Sequence, residues 1–220
     1  LPAYTNLIRL RSAVILSVRE LTGVYQRTGI LNTDYLVKDI CTKFTDILDA
    51  FHSEDFACVN FTFFYNEEDS FLLRFYNHSM LFPMIVRAAD DGSSVIFNLN
   101  TLFGSWEPHR GFLLGSELRR LLGDRYLDIS SCEYRLWEGD SVLFFSDGIT
   151  EAASGNGDGN KNEFGEERVE SLLRNAHGLH PQQIVDTLFD QVFHHIGHPS
   201  FQKDDMTAVM IDFPRQHENK

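Results

Sequence analysis

The chain has 220 residues, 43% of them hydrophobic and 19 of them Phe, which is ample for one packed domain and only weakly consistent with two. Thirty-two acids against 19 Lys and Arg give a formal net charge of -13, and the only basic cluster is Arg119-Arg120. Nucleic acid is thereby excluded as an expected partner, because phosphate-backbone binding needs a basic face, whereas an acidic surface suits cations or basic proteins.

The three cysteines, Cys41, Cys58 and Cys132, are isolated and form no C-x-x-C pair. They read as thiols acting as small apolar residues, Cys41 and Cys58 in the core, in a reduced, cytoplasmic setting. No apolar run approaches the length of a membrane span, and no signal peptide is recognisable. The chain begins at Leu1, so it is expected to be either processed or a piece of something longer.

Leu7, Leu10, Val14, Val18, Leu21 and Tyr25 recur at helical spacing and predict a long amphipathic helix from about Ala3 to about Arg27. A second helix is capped by Asn32 or Thr33 and lined on one face by Leu36, Ile40, Phe44, Ile47 and Phe51. Such a helix pair is expected to pack on a sheet, with a dimer interface as the alternative. The period then changes to two: Ala57, Val59, Phe61 and Phe63 alternate with Cys58, Asn60 and Thr62, as in a half-buried strand. A polar turn at residues 66–69 leads to a second strand, Phe71 to Tyr76, as in an antiparallel hairpin. After Asn77-His78-Ser79 come a strand over 81–87 interrupted by Pro83, a turn at Asp90-Asp91-Gly92 and a short strand over 95–99.

Residues 100–123 are punctuated by Gly104, Pro108, Gly111, Gly115 and Gly123, with Leu118, Leu121 and Leu122 offering one helical turn. Tyr126 to Leu136 reads as a strand. Glu138-Gly139-Asp140 then turns into Val142 to Phe145, a continuous apolar run that predicts a strand buried on both faces. It ends in Ser146-Asp147-Gly148. A Gly- and Asn-rich stretch over 153–162 predicts an exposed connection. Two helices follow, one carrying Val169, Leu172, Leu173 and Ala176, the other starting near Pro181 with Ile184, Leu188, Val192 and Ile196. Asp204-Asp205-Met206-Thr207 precedes a last apolar strand, Ala208 to Phe213, and residues 214–220 form a polar tail. This order predicts an α+β fold in a single domain over residues 1–213.

Two acids stand at strand boundaries, Asp147 after one strand and Asp204, with Asp205, before the last. If those strands are antiparallel neighbours, the carboxylates share one rim of the sheet. Paired carboxylates on rigid strands suit a hard cation, Mg²⁺ or Mn²⁺. The bland alternative is acids capping strand ends, which are common.

The run SVLFFSDGITEA, the following polar loop closed by Phe164-Gly165, and Asp204-Asp205-Met206-Thr207 before a terminal strand resemble the metal-dependent protein phosphatase superfamily. They are most similar to its bacterial branch typified by the sporulation stage II E phosphatase and the stress-response serine phosphatases. Gly139-Asp140 matches that branch's Gly-Asp before the buried strand. Asn77-His78-Ser79 and Pro83 stand where it has an Asn-Ala-Gly-His stretch followed by prolines, and match it imperfectly.

The resemblance implies stacked antiparallel β-sheets flanked by helices, with two divalent ions in the cleft. It implies hydrolysis of phosphoserine or phosphothreonine on a protein by a metal-activated water in an in-line displacement. Carried over by motif, Asp147 and Asp204 are metal ligands, and Asp205 helps from outside them or at a third ion. The substrate implied is a phosphorylated regulatory protein such as an anti-sigma-factor antagonist, under an upstream sensor domain, with the N-terminal helices as a homodimer or switch element.

Two family motifs are missing, an early Gly-Asp-x-x-Asp and a later Asp-x-x-Gly-His-Gly. Either the chain is a fragment of a longer phosphatase or it has naturally lost the motifs. In both cases the polypeptide alone is expected to be inactive or nearly so. The rival reading is therefore a catalytically dead phosphatase fold that binds a partner protein. A calcium loop over residues 154–165 is disfavoured, because Gly165 stands where a bidentate Glu is needed.

Overall fold

In a computed structural model, the structure describes residues 2–28, 31–51, 54–89, 93–103, 111–128, 130–154, 162–198, 202 and 204–213. They fall into two compact units. One comprises Leu1–Phe63, Arg74–Met80 and Trp106–Glu133; the other comprises Phe64–Leu73, Leu81–Ser105 and Tyr134–Lys220.

In the first unit α1 (Pro2–Thr28) packs along α2 (Thr33–Ala50). Asn32 caps α2 by accepting the Tyr35 amide at 3.0 Å, which satisfies one of the free N–H groups of the first turn. The α2 stripe is buried as its spacing predicts, through Leu36, Ile40, Phe44 and Leu48, but Phe51 lies past the helix end and is 68% exposed. The α1 stripe departs further from expectation. Its buried positions are Ala13, Ser17 and Leu21, while Leu7, Val18 and Tyr25 are exposed. Leu10 and Val14 pack partly buried against the same core, so the contact stripe of α1 runs through positions 10, 13, 14, 17 and 21 and leaves 7, 18 and 25 outside it.

The short strand β1 (Phe56–Ala57) pairs antiparallel with β6 (Leu114–Gly115), a two-residue ladder that no local pattern announces. A helix, α4 (Ser116–Leu122), follows β6 and contains the expected Leu-rich turn. The strand predicted over 126–136 is corrected: residues 123–127 form a 3₁₀ turn, and only β7 (Cys132–Leu136) is extended. The turn buries Tyr126 and lets its hydroxyl accept the Gly115 amide at 2.7 Å, which outweighs its strand propensity. Cys41 and Cys132 are buried, but Cys58 is exposed, against the core placement expected for it.

The second unit is built on a four-stranded sheet of order β5-β4-β8-β9, with β4 (Met84–Ala88), β5 (Ser94–Asn98), β8 (Asp140–Phe145) and β9 (Ala208–Asp212) all antiparallel. Pro83 stops the predicted 81–87 strand from starting before Met84. A further sheet has the order β2-β3-β7, with β2 at Val59–Asn66 and β3 at Phe71–His78. A short helix α3 (Leu99–Phe103) follows β5, and α5 (Asp147–Thr150) follows β8. The helices α6 (Gly165–Arg174) and α7 (Pro181–Ile196) cover the apolar side of the four-stranded sheet: Leu143, Phe145 and Met84 share one core with Val169, Leu173, Ile184 and Leu188. The expected turn at 90–92, the glycine-rich stretch over 155–161, Gly104, Pro108 and the tail from 214 lie outside the described residues. No described helix is long and apolar enough to cross a membrane.

Candidate functional site

The end of β8 lies beside the start of β9, as the boundary acids require. Phe145 is the register partner of Ala208. One residue beyond, the Ser146 amide donates to the Thr207 carbonyl at 3.0 Å, which carries the ladder past the strands. Asp147 opens α5 on one side of this junction, and Asp204 and Asp205 lie in the segment entering β9 on the other. All three carboxylate residues are exposed.

The two segments interlock. Ser146 Oγ accepts the Thr207 amide at 3.0 Å and donates to the Asp205 carbonyl at 3.2 Å. Gly148 is buried, and a Cβ placed on it would overlap the Asp205 carbonyl oxygen and sit 3.1 Å from that carbonyl's carbon. Only glycine permits this approach. On the acid side, Asp204 Oδ1 accepts the Asp205 amide at 2.7 Å, and the Gln202 side chain donates to the Asp204 carbonyl at 3.1 Å. Reading the motifs by type identified the acids. It missed Ser146 as a group that holds the acid segments together, although it stands inside the Ser-Asp-Gly triplet.

Carboxylate oxygens are the donors a hard divalent cation selects, and Mg²⁺ binds through one or two carboxylates with waters and substrate phosphate completing its shell. Among the described residues no ion pair engages Asp147, Asp204 or Asp205. The three acids are not gathered into one ligating group among the described residues, so the rim offers at most part of such a shell.

The other quoted motifs have structural work. Gly139 has φ 90°, a left-handed conformation that turns the chain into β8, and its amide donates to the Phe213 carbonyl. Asp140 is 1% exposed and takes a two-pronged hydrogen bond from Arg87. Asn77 is buried and clasps a turn, its Oδ1 accepting the Met80 amide at 3.0 Å and its Nδ2 donating to the Met80 carbonyl at 2.8 Å. His78 is fully buried in the first unit. Its Nδ1 bonds the Phe112 carbonyl at 2.9 Å, and its Nε2 meets Cys41 Sγ at 3.3 Å. A carbonyl only accepts, so Nδ1 carries the proton and Nε2 faces the thiol. His194 and His195 sit in the last turn of α7, with His195 Nε2 donating to the Asn162 carbonyl at 2.8 Å.

A family model described as "Stage II sporulation protein E (SpoIIE)" matches residues 16–214. Among solved structures, the SiaA-PP2C domain of Pseudomonas aeruginosa superposes with a TM-score of 0.63 at 14% identity, over 97% of this chain and 71% of that one. A structure of RsbU and RsbW domains from Mycobacterium tuberculosis gives 0.54 at 13% identity, over 96% of this chain and 48% of that one. At these identities the likeness is one of fold: helices flanking antiparallel sheets. The phosphatase domain of SpoIIE from Bacillus subtilis aligns at 16% identity over 91% of this chain and 74% of that one, with a TM-score of 0.43. No curated protein matches the chain.

Proposed function

We propose, from the premise that this chain belongs to the stage II sporulation protein E family, that it serves the hydrolysis of phosphoserine or phosphothreonine on a regulatory protein. Asp147 and Asp204 are the carboxylates that hold Mn²⁺ or Mg²⁺, and Asp205 acts beside them. The observation that carries this reading is the junction of β8 and β9: the Phe145–Ala208 register and the Ser146–Thr207 bonds bring the two acid segments to one rim. Ions bound there supply Lewis acidity toward the phosphoryl group and a lowered pKa for a coordinated water. The chain's own part is to hold the two acid segments side by side at the β8–β9 junction, and to present them exposed to a protein substrate.

The wider setting is proposed with it: a cytoplasmic signalling or stress-response phosphatase acting on a phosphorylated partner under a sensor domain. RsbU and RsbW domains occur together in the mycobacterial relative, which supports a regulatory setting of this kind. The exposed apolar side chains of α1, among them Leu7, Ile8, Leu16 and Tyr25, support a homodimer through the N-terminal helices.

The test is Mn²⁺-dependent hydrolysis of an aryl phosphate and of a phosphoserine protein by the full-length protein, with Asp147→Asn beside it. Metal-dependent turnover that falls at least about a hundredfold in the variant is expected. Turnover indifferent to Asp147→Asn overturns the assignment. No turnover in either protein moves the reading to a docking module without catalysis.

A further inference from the structure

Resting on the metal-binding reading above, we infer that Ser146 and Gly148 are positioning residues that set where the Asp204 carboxylate stands relative to Asp147. Neither needs to touch an ion. Both act on the backbone of Asp205, which lies next to Asp204 in the chain.

The two peptide groups on either side of the Asp205 Cα are both engaged. The carbonyl on the C-terminal side accepts Ser146 Oγ at 3.2 Å and rests against the bare Cα of Gly148. The amide on the N-terminal side donates to Asp204 Oδ1 at 2.7 Å. With its carbonyl seated and its amide committed, Asp205 transmits the position of the Ser146-Asp147-Gly148 turn to the orientation of the Asp204 carboxylate. The amide fixes the orientation of the Asp204 carboxylate through Oδ1 and leaves Oδ2 without a hydrogen bond to that amide. Ser146 completes the clasp, because the same hydroxyl that donates to Asp205 accepts from the Thr207 amide at 3.0 Å. A hydroxyl does both at once, and a methyl does neither. Groups that orient a ligand in this way typically matter 10- to 100-fold to metal affinity.

The experiment measures Mn²⁺ affinity of the full-length protein by calorimetric titration, with thermal unfolding in chelator as the control for the fold. Ser146→Ala and Gly148→Ala are each expected to weaken Mn²⁺ binding about 10- to 100-fold. Ser146→Thr keeps the hydroxyl in an extended conformation that threonine readily adopts (φ -87°, ψ 159°) and is expected to restore wild-type affinity. A merely structural role lowers the melting temperature in chelator and leaves the Mn²⁺ affinity of the folded protein unchanged. Should Gly148→Ala fail to fold, the Ser146→Ala and Ser146→Thr pair decides alone. Wild-type affinity in Ser146→Ala, with binding lost in Asp147→Asn, overturns this inference and spares the metal-site reading. Unchanged affinity in Asp147→Asn, or no Mn²⁺ binding by the wild type, overturns both.

Discussion

Arg87 and Asp140 are register partners across β4 and β8, and their side chains close a fork between the strands. Arg87 Nε donates to Asp140 Oδ1 at 2.8 Å and Nη2 to Oδ2 at 2.6 Å, while the Trp137 amide donates to the same carboxylate at 2.9 Å. The hydrogen bonds that Arg87 donates to Asp140 hold the guanidinium pKa above its usual value. The Phe97 ring faces the guanidinium in a cation–π contact, its centroid 5.0 Å from the guanidinium carbon.

Removing one member leaves the other charge stranded. Asp140→Ala is expected to cost roughly 3 kcal/mol of unfolding free energy in urea, because Arg87 loses its counter-ion and the Trp137 amide its acceptor. Arg87→Met with Asp140→Leu removes both charges together and is expected to recover most of that loss. A double variant no more stable than Asp140→Ala would show that the Trp137 turn, and not the ion pair, is what the carboxylate holds.

Ser79 has φ 57°, the only left-handed non-glycine among the described residues. It follows the Asn77 clasp on the Met80 peptide groups, at the position where the similar family stretch carries glycine. Ser79→Gly is expected to raise stability by about 0.5–1 kcal/mol, the relief of the left-handed strain less the added entropy of an unfolded glycine. Equal or lower stability in chemical denaturation would mean the turn is not strained by its side chain.

His78 makes the fold acid-sensitive. Burial lowers its pKa below the ordinary 6.5, and the Phe112 carbonyl only partly offsets this. Its other nitrogen faces the Cys41 thiol, itself pushed up to about 12 by burial, so no counter-charge is at hand. Below pH 6.5 the unfolded chain takes a proton that the folded one refuses. The stability is therefore present above 6.5 and falls with pH, by up to about 1.4 kcal/mol per pH unit until the folded-state value is reached. Urea unfolding at pH 7.5, 6.5 and 5.5 should show that slope in the wild type and a shallower one in His78→Asn.

Thiol accessibility separates the three cysteines. Cys58 is exposed, whereas Cys41 and Cys132 are buried and both raised to about 12 by desolvation. A chromogenic disulfide reagent should titrate one thiol rapidly in the native protein and two more only after denaturation. Fast reaction of two or three thiols in the native state would contradict the burial of Cys41 in α2 or of Cys132 in β7.

The sequence by itself determined the order of the elements and the chemical type of the candidate site. Helical spacing placed α2, α6 and α7, a short apolar run placed β8, and the acids were visible at the ends of the two strands that later proved adjacent. These signals are local: a period of 3.6, a period of two, a cap, a turn residue. The tertiary structure decided what depends on partners far along the chain. It buried Ala13, Ser17 and Leu21 of α1 and left Leu7, Val18 and Tyr25 exposed, and it folded Tyr126 into a turn whose hydroxyl accepts the Gly115 amide. It also gave the Ser-Asp-Gly triplet a meaning that spacing cannot carry. Gly148 must be bare because the Asp205 carbonyl, far away in sequence, arrives against it when β8 pairs with β9.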